Sequence, residues 1–240
     1  MKIDILAFGA HPDDVELSCG GTLIKEINNG KTVGIIDLTK GELGTRGTAQ
    51  TRAVEANNAA SILGVSFRKN MNFLDGFIVN DKAHKLEVVK LIRQYQPEIV
   101  LCNAVDDRHI DHGAASKLVS DACFLSGLVK IETKSIDSEV VQSPWRPKSI
   151  YHYIQWKPLN PDFVVDISEH IDQKMESVLA YSTQFYNPNS QAPETPISSK
   201  NFVDSVRYRA ADLGRLTGVS YAEGFNVERF PAIDSLFDLK

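Results

Sequence analysis

The feature that most constrains this chain is an alternation. Short runs of branched and aromatic residues are each followed by a longer amphipathic segment. IDILAFGA (3–10), TVGIIDL (32–38), SFRKNMNF (66–73) and EIVLCNA (98–104) read as strands, and segments 12–29, 50–63 and 81–95 between them read as helices. Strands separated by helices pair in parallel through right-handed crossovers. The expected fold is therefore α/β: a Rossmann-like open, mostly parallel sheet with helices on both faces. SIYHYI (149–154) and FVVDIS (163–168) predict further strands, with helices near 111–125, 169–184 and 201–216. Two polar segments, 127–148 and 187–200, interrupt the rhythm. They read first as surface loops, and as a lid or subunit contact if they carry function.

No linker or repeat divides the 240 residues, and 42% hydrophobic content suffices for one large core, so a single domain over 1–240 is expected. The net charge of -5 and pI near 5.7 argue against a nucleic-acid partner, because affinity for phosphate backbones comes from surplus Lys and Arg. A small-molecule partner fits better. Cys19, Cys102 and Cys123 are odd in number and lack C-x-x-C spacing, so neither a disulfide framework nor a zinc ribbon is supported. The first residues do not read as a signal peptide, and no apolar run approaches the roughly 18–20 residues of a membrane helix. A cytoplasmic protein without a membrane partner is expected.

The first strand runs straight into 11-HPDDVE-16, which places one histidine and three acids within six residues. Ligands of open parallel sheets bind beyond the carboxyl ends of strands, where this cluster lies. Asp13, Asp14 and Glu16 also suit a helix start, whose positive end favours acids. His11 changes the balance, because a residue three positions before Asp14 can converge with it on one point. Together they offer two ligands to a divalent transition metal. A catalytic zinc site takes three protein ligands, so another strand end must contribute. The segment 104-AVDDRHIDHGAAS-116, directly after the fourth strand, brings His109, Asp111 and His112 to an equivalent position. Phosphate-binding readings fail, since neither G-x-G-x-x-G nor G-x-x-x-x-G-K-[ST] occurs. Gly20 and Gly21 suggest close packing of the first helix on the sheet.

HPDD-x-E after a first strand, followed by H-x-D-H, resembles the PIG-L (LmbE-like) family of zinc-dependent N-acetylglucosamine deacetylases. The segments 35–64 and 71-MNFLDG-76 resemble its branch that deacetylates N-acetylglucosaminyl malate in bacillithiol biosynthesis, and 205–225 does so more loosely. The resemblance implies His11, Asp14 and His112 as ligands of one Zn²⁺ per chain, although Fe²⁺ suits the same donors. It implies Asp13 as general base and His109 as oxyanion stabiliser, with Asp111 orienting and charging His109. Arg52 matches a substrate contact. Arg46, on the Gly-rich loop, is a second candidate against an ordinary solvated arginine. Tyr221 is a third, with Glu223, although a late strand explains both equally. A homo-oligomer, trimer or hexamer, is also implied. The rival readings are a metal-dependent phosphoesterase, disfavoured by three candidate histidines, and a non-enzymatic sugar- or metal-binding protein.

Overall fold

The computed structural model describes residues 1–238. β1 (Ile5–Gly9), α1 (Asp14–Asn28), β2 (Val33–Thr39), α2 (Ala49–Leu63), β3 (Phe67–Phe73), α3 (Lys82–Tyr95) and β4 (Ile99–Cys102) alternate strictly. Then follow α4 (Ile110–Ser126), β5 (Ser149–Tyr153), β6 (Phe163–Asp166), α5 (Ile171–Leu179), α6 (Lys200–Thr217) and β7 (Ala222–Val227). Among the described residues these strands form one seven-stranded sheet in the order β3-β2-β1-β4-β5-β7-β6. The run from β3 to β5 is parallel, and β7 is antiparallel to both of its neighbours. The fold is thus the expected Rossmann-like α/β architecture, with an antiparallel edge that strand–helix alternation does not announce.

β1 and β2 are buried along their whole lengths, as central parallel strands covered on both faces must be. Their side chains alternate between two cores. Leu6, Phe8, Ile36 and Leu38 pack with Val88, Ile92, Leu118 and Val119 of α3 and α4. Ile5, Ala7 and Ile35 pack on the other face with Val15, Cys19 and Leu23 of α1. Cys19, Cys102 and Cys123 are all free and buried, consistent with an apolar role. No helix of the described residues is long and apolar enough to cross a membrane.

One helix ends earlier than its pattern suggests. α5 stops at Leu179 rather than near 184, because Glu55 of α2 captures the polar groups that follow. Ser182 Oγ and Thr183 N donate to Glu55 Oε1 at 3.0 and 2.7 Å, and Thr183 Oγ1 donates to Oε2 at 2.7 Å. Such bonds offer the backbone an alternative to the helix.

The two glycines of α1 differ. A Cβ on Gly21 would lie 2.8 Å from Ile167 Cδ1 and 3.0 Å from its Cβ, so the close approach there needs glycine. The same addition at Gly20 would meet Leu63, Lys174 and Ser177 at ordinary distances of 3.6–3.7 Å. Close packing therefore accounts for Gly21 only. Gly20→Ala is expected to stabilise the protein by up to about 1 kcal/mol through helix propensity. Gly21→Ala is expected to destabilise it by about 1–3 kcal/mol through overpacking. Urea unfolding of both variants reads the contrast, and a stabilised Gly21→Ala would contradict the packing.

Candidate active site

In the strand order, β2 and β4 lie on opposite sides of β1, which creates a crevice beyond the carboxyl end of β1. His11 follows that strand after a single alanine. Asp13 then takes φ 120°, a left-sided conformation that an aspartate adopts only at a cost, before α1 begins at Asp14. A cavity of about 320 Å³ opens here, lined by His11, Asp13, Asp14, Arg52, His109 and His112 among others. Leu17, Leu43, Trp156 and Phe202 supply apolar wall. Thr195, Pro196 and Ile197 bring the 187–200 loop into the wall as well. The 127–148 segment instead lies away from this cavity. Arg93 ties it down by donating to the carbonyls of Ser126, Leu128 and Ile131.

Asp14 is the hub of the site. Its Oδ2 accepts from His11 N at 2.9 Å and Asn103 Nδ2 at 3.0 Å, and its Oδ1 from Gln155 Nε2 at 3.0 Å. Two imidazoles face the same carboxylate: His11 Nδ1 is 3.6 Å from Oδ2 and His112 Nε2 is 3.2 Å from Oδ1. Each ring has a carboxylate behind it. His112 Nδ1 meets Asp107 Oδ2 at 2.6 Å, while His11 Nε2 meets Asp75 Oδ1 at 3.0 Å and Asp111 Oδ2 at 3.2 Å. A carboxylate on the outer nitrogen holds a proton there, so that the inner nitrogen can give up its own proton to Asp14's side of the site and turn a lone pair toward a metal at the common point.

The electrostatics follow from this packing. Burial raises the Asp14 carboxyl, yet His112 and His11 outweigh burial and hold it well below the usual range. Burial opposes charge on His112, but Asp14 and the hydrogen bond to Asp107 raise it to about 9. A cluster that raises its imidazoles and lowers its carboxylates favours a cation at its centre, whether a proton or a metal ion. Nitrogen and oxygen donors of this kind suit a divalent transition metal. His11, His109 and His112 also present ring nitrogens within 4.8 Å of one another, as do His11, Asp75 and Asp111 with their ligand atoms. The site is therefore one that could hold a metal.

Asp13 and His109 flank this centre. Arg52 donates to Asp13 Oδ2 at 2.6 Å and to Pro12 O at 2.8 Å, which secures the strained turn. Gly41, at φ 63°, makes room for that guanidinium, because a Cβ there would sit 2.2 Å from Arg52 Nη1. Burial pushes the Asp13 carboxyl up to about 6, against the pull of Arg52. A carboxylate in that range is ionised and still basic at neutral pH. His109 caps α4: its Nδ1 accepts from Asp111 N at 3.2 Å, which assigns the ring proton to Nε2.

The structure corrects the expected role of Asp111. Its carboxylate faces His11 and accepts from the backbone N–H groups of Gly76 and Ile78, and only its own amide contacts His109. Burial and the neighbouring His11 and His112 lower His109, so it is a neutral donor rather than a charged one. Glu16 serves the fold, receiving Arg68 and the Tyr181 hydroxyl. Arg46 lies outside the residues lining the cavity. Its Nη2 donates to Ser190 Oγ at 2.5 Å, and Gln184 holds its carbonyl, so it clasps the 187–200 loop. Tyr221 is likewise outside the lining and packs on Ile167, Ile171 and Ala210. Glu223 binds Thr22 N at 2.7 Å and Lys174, inside the protein.

Sequence reasoning passed over Asp75, Asn103 and Gln155 as site residues. Each lies within two residues of the carboxyl end of β3, β4 or β5, and that position was the available signal. Arg209 of α6, which also lines the cavity, had no such signal.

The family model described as "PIG-L: GlcNAc-PI de-N-acetylase" matches residues 6–123, which span both motif clusters. Diacetylchitobiose deacetylase of Thermococcus kodakarensis is 27% identical over 230 residues, covering 92% of this chain and 81% of that protein. The uncharacterized deacetylase YaiS of Escherichia coli is 36% identical over 125 residues, covering 50% of this chain and 67% of its own length. The crystal structure of the conserved protein TT1542 from Thermus thermophilus is similar over 98% of both chains, with 35% identity and a TM-score of 0.85. With both motif clusters inside the matched region and both curated relatives named as deacetylases, the chain belongs to the PIG-L family of deacetylases.

Proposed function

We propose that this chain hydrolyses the acetamide of an N-acetylglucosamine conjugate, releasing acetate and the free amine, with one divalent metal held by His11, Asp14 and His112. Zinc is the metal that best fits two imidazoles and one carboxylate with an open position. The observation that carries the reading is the shared focus of those two rings on the Asp14 carboxylate, each ring backed by Asp75, Asp107 or Asp111. N-acetylglucosaminyl malate is the substrate suggested by the motif set 35–64 and 71–76. A cavity of about 320 Å³ is in the range that holds a small conjugate.

A divalent metal in this position supplies a Lewis acid and a water acidified to about neutral pH. Asp13, whose carboxylate is basic yet ionised near neutrality, takes a proton from the attacking water. Arg52 keeps the Asp13 carboxylate turned to the cavity through its 2.6 Å ion pair. As the acetyl carbonyl oxygen gains negative charge, His109 Nε2–H donates to it from a ring locked by the Asp111 amide. Asp13 then returns its proton to the amine nitrogen as the C–N bond breaks. The apolar wall around Leu17, Leu43 and Trp156 limits water around that charge.

Two outcomes test the ligand set and the roles together. Asp13→Asn is expected to keep one metal per chain while losing about 100- to 10,000-fold in kcat for amine release. His112→Ala is expected to lose the metal itself, read by elemental analysis of dialysed protein. Loss of metal from Asp13→Asn would overturn its assignment as base.

His109→Ala separates the two imidazole sets. It is expected to retain the metal and lose about 100- to 1,000-fold in kcat, as removal of an oxyanion donor does. Metal loss on this substitution would instead assign the three-histidine set.

A further inference from the structure

β7 joins the sheet antiparallel to β5, and the residue that follows it, Glu228, reaches a histidine inside the protein. His152 of β5 is 4% exposed. Its Nε2 meets Glu228 Oε1 at 3.0 Å. On the other side of the ring, Nδ1 lies 2.8 Å from Ser116 Oγ and 3.2 Å from the Asn103 carbonyl oxygen. A carboxylate and a carbonyl only accept, so both ring nitrogens carry protons and the ring is an imidazolium. Burial opposes that charge, yet the contacts with Cys102, Glu228 and Asn103 outweigh it and raise the group to about 11. The proposed hydrolysis makes no use of this buried cation.

Serine, histidine and glutamate in this order resemble a nucleophile with its base and orienting acid. Access rules that role out. Ser116 is 3% exposed, and the cavity of about 730 Å³ at the Glu228 end is lined by Glu228, Ser120 and Tyr151 but by neither Ser116 nor His152. The ring instead faces the supports of the candidate metal site. The Asn103–Ala104 peptide is held at both ends, its carbonyl by His152 and its N–H by Gln155 Oε1 at 3.2 Å. Gln155 Oε1 also accepts from Asn103 Nδ2 at 2.9 Å. Asn103 and Gln155 are the two side-chain amides that donate to Asp14, one to each oxygen. Ser116, the third contact, stands one turn after His112 on the same face of α4.

We infer that His152, held by Glu228, is a positioning residue that fixes the Asn103–Ala104 peptide and α4, so that the amides supporting Asp14 and the helix carrying His112 keep one relative position. The role rests on the reading of Asp14 and His112 as metal ligands. Glu228 supplies the counter-charge, so the bond to the Asn103 carbonyl is charge-assisted without leaving an unpaired cation in the interior. The antiparallel edge of the sheet thus acts on the site without lining it.

The test is the dissociation constant of Zn²⁺ by chelator competition, beside urea unfolding and amine release at saturating zinc. His152→Leu removes the donor to the Asn103 carbonyl and is expected to weaken Zn²⁺ binding about 10- to 100-fold, as loss of a group that orients a metal ligand does. At saturating zinc its kcat should fall while KM for the sugar stays near the wild-type value. His152→Asn returns an N–H near the Nδ1 position and should recover most of the affinity. Glu228→Gln, at an exposed position where folding is not at risk, keeps an acceptor but removes the counter-charge, and should weaken binding about 3- to 10-fold. Wild-type zinc affinity in folded His152→Leu and in Glu228→Gln, with the loss confined to the urea midpoint, would overturn the role. A His152→Asn variant that binds zinc no better than His152→Leu would overturn it too. Zinc binding that depends on His152, without hydrolysis of any N-acetyl sugar by the wild type, would uphold the role and overturn the deacetylase reading. A wild type that binds no divalent metal would overturn the ligand set and this role with it.

Discussion

Everything at this site is arranged around one buried carboxylate. Asp14 is 3% exposed, and an ionised group there survives only if its oxygens are fully engaged. The partners that engage it come from the β1 turn, from Asn103 after β4, from Gln155 after β5 and from His112 on α4. The charge thus requires four separate parts of the chain to meet at one point. Asn103 also accepts from Ala10 N at 2.9 Å, which locks the ends of β1 and β4 together beneath the carboxylate.

A second layer of acids gives the imidazoles their direction. Asp107 behind His112, and Asp75 with Asp111 behind His11, turn each ring so that its remaining nitrogen addresses Asp14. The three acids are themselves held by backbone amides: Leu43 N on Asp75, Gly76 N on Asp111 and Lys157 N on Asp107. Preorganisation of this kind is what distinguishes a reactive constellation from a mere cluster of polar residues. Strain at Asp13 belongs to the same design, because Arg52 and Gly41 hold an unfavourable backbone angle that aims a basic carboxylate into the cavity.

Much of this was legible in the amino-acid order. Alternating apolar and amphipathic runs specify parallel βαβ units, and the parallel part of the sheet follows from them. Polar residues directly after β1 and β4 mark the crevice, since strand ends deliver side chains there. The limits are equally physical. Glu55 ends α5 early through a contact 127 positions away in sequence, which no local periodicity records. The antiparallel β7 follows a helix as a parallel strand would, and only its pairing with β5 and β6 distinguishes it.

The sequence alone determined that a parallel α/β sheet would form and that His11, Asp13, Asp14, His109 and His112 would fall at two strand ends, because side-chain period and strand–helix alternation are local properties. The tertiary structure decided which carboxylate backs which imidazole. It turned Asp111 toward His11, set Arg46 on the 187–200 loop, packed Tyr221 among apolar residues and brought Arg209 to the cavity. Those outcomes depend on where distant segments cross and on the direction of each side chain, and both are set only when the whole chain packs.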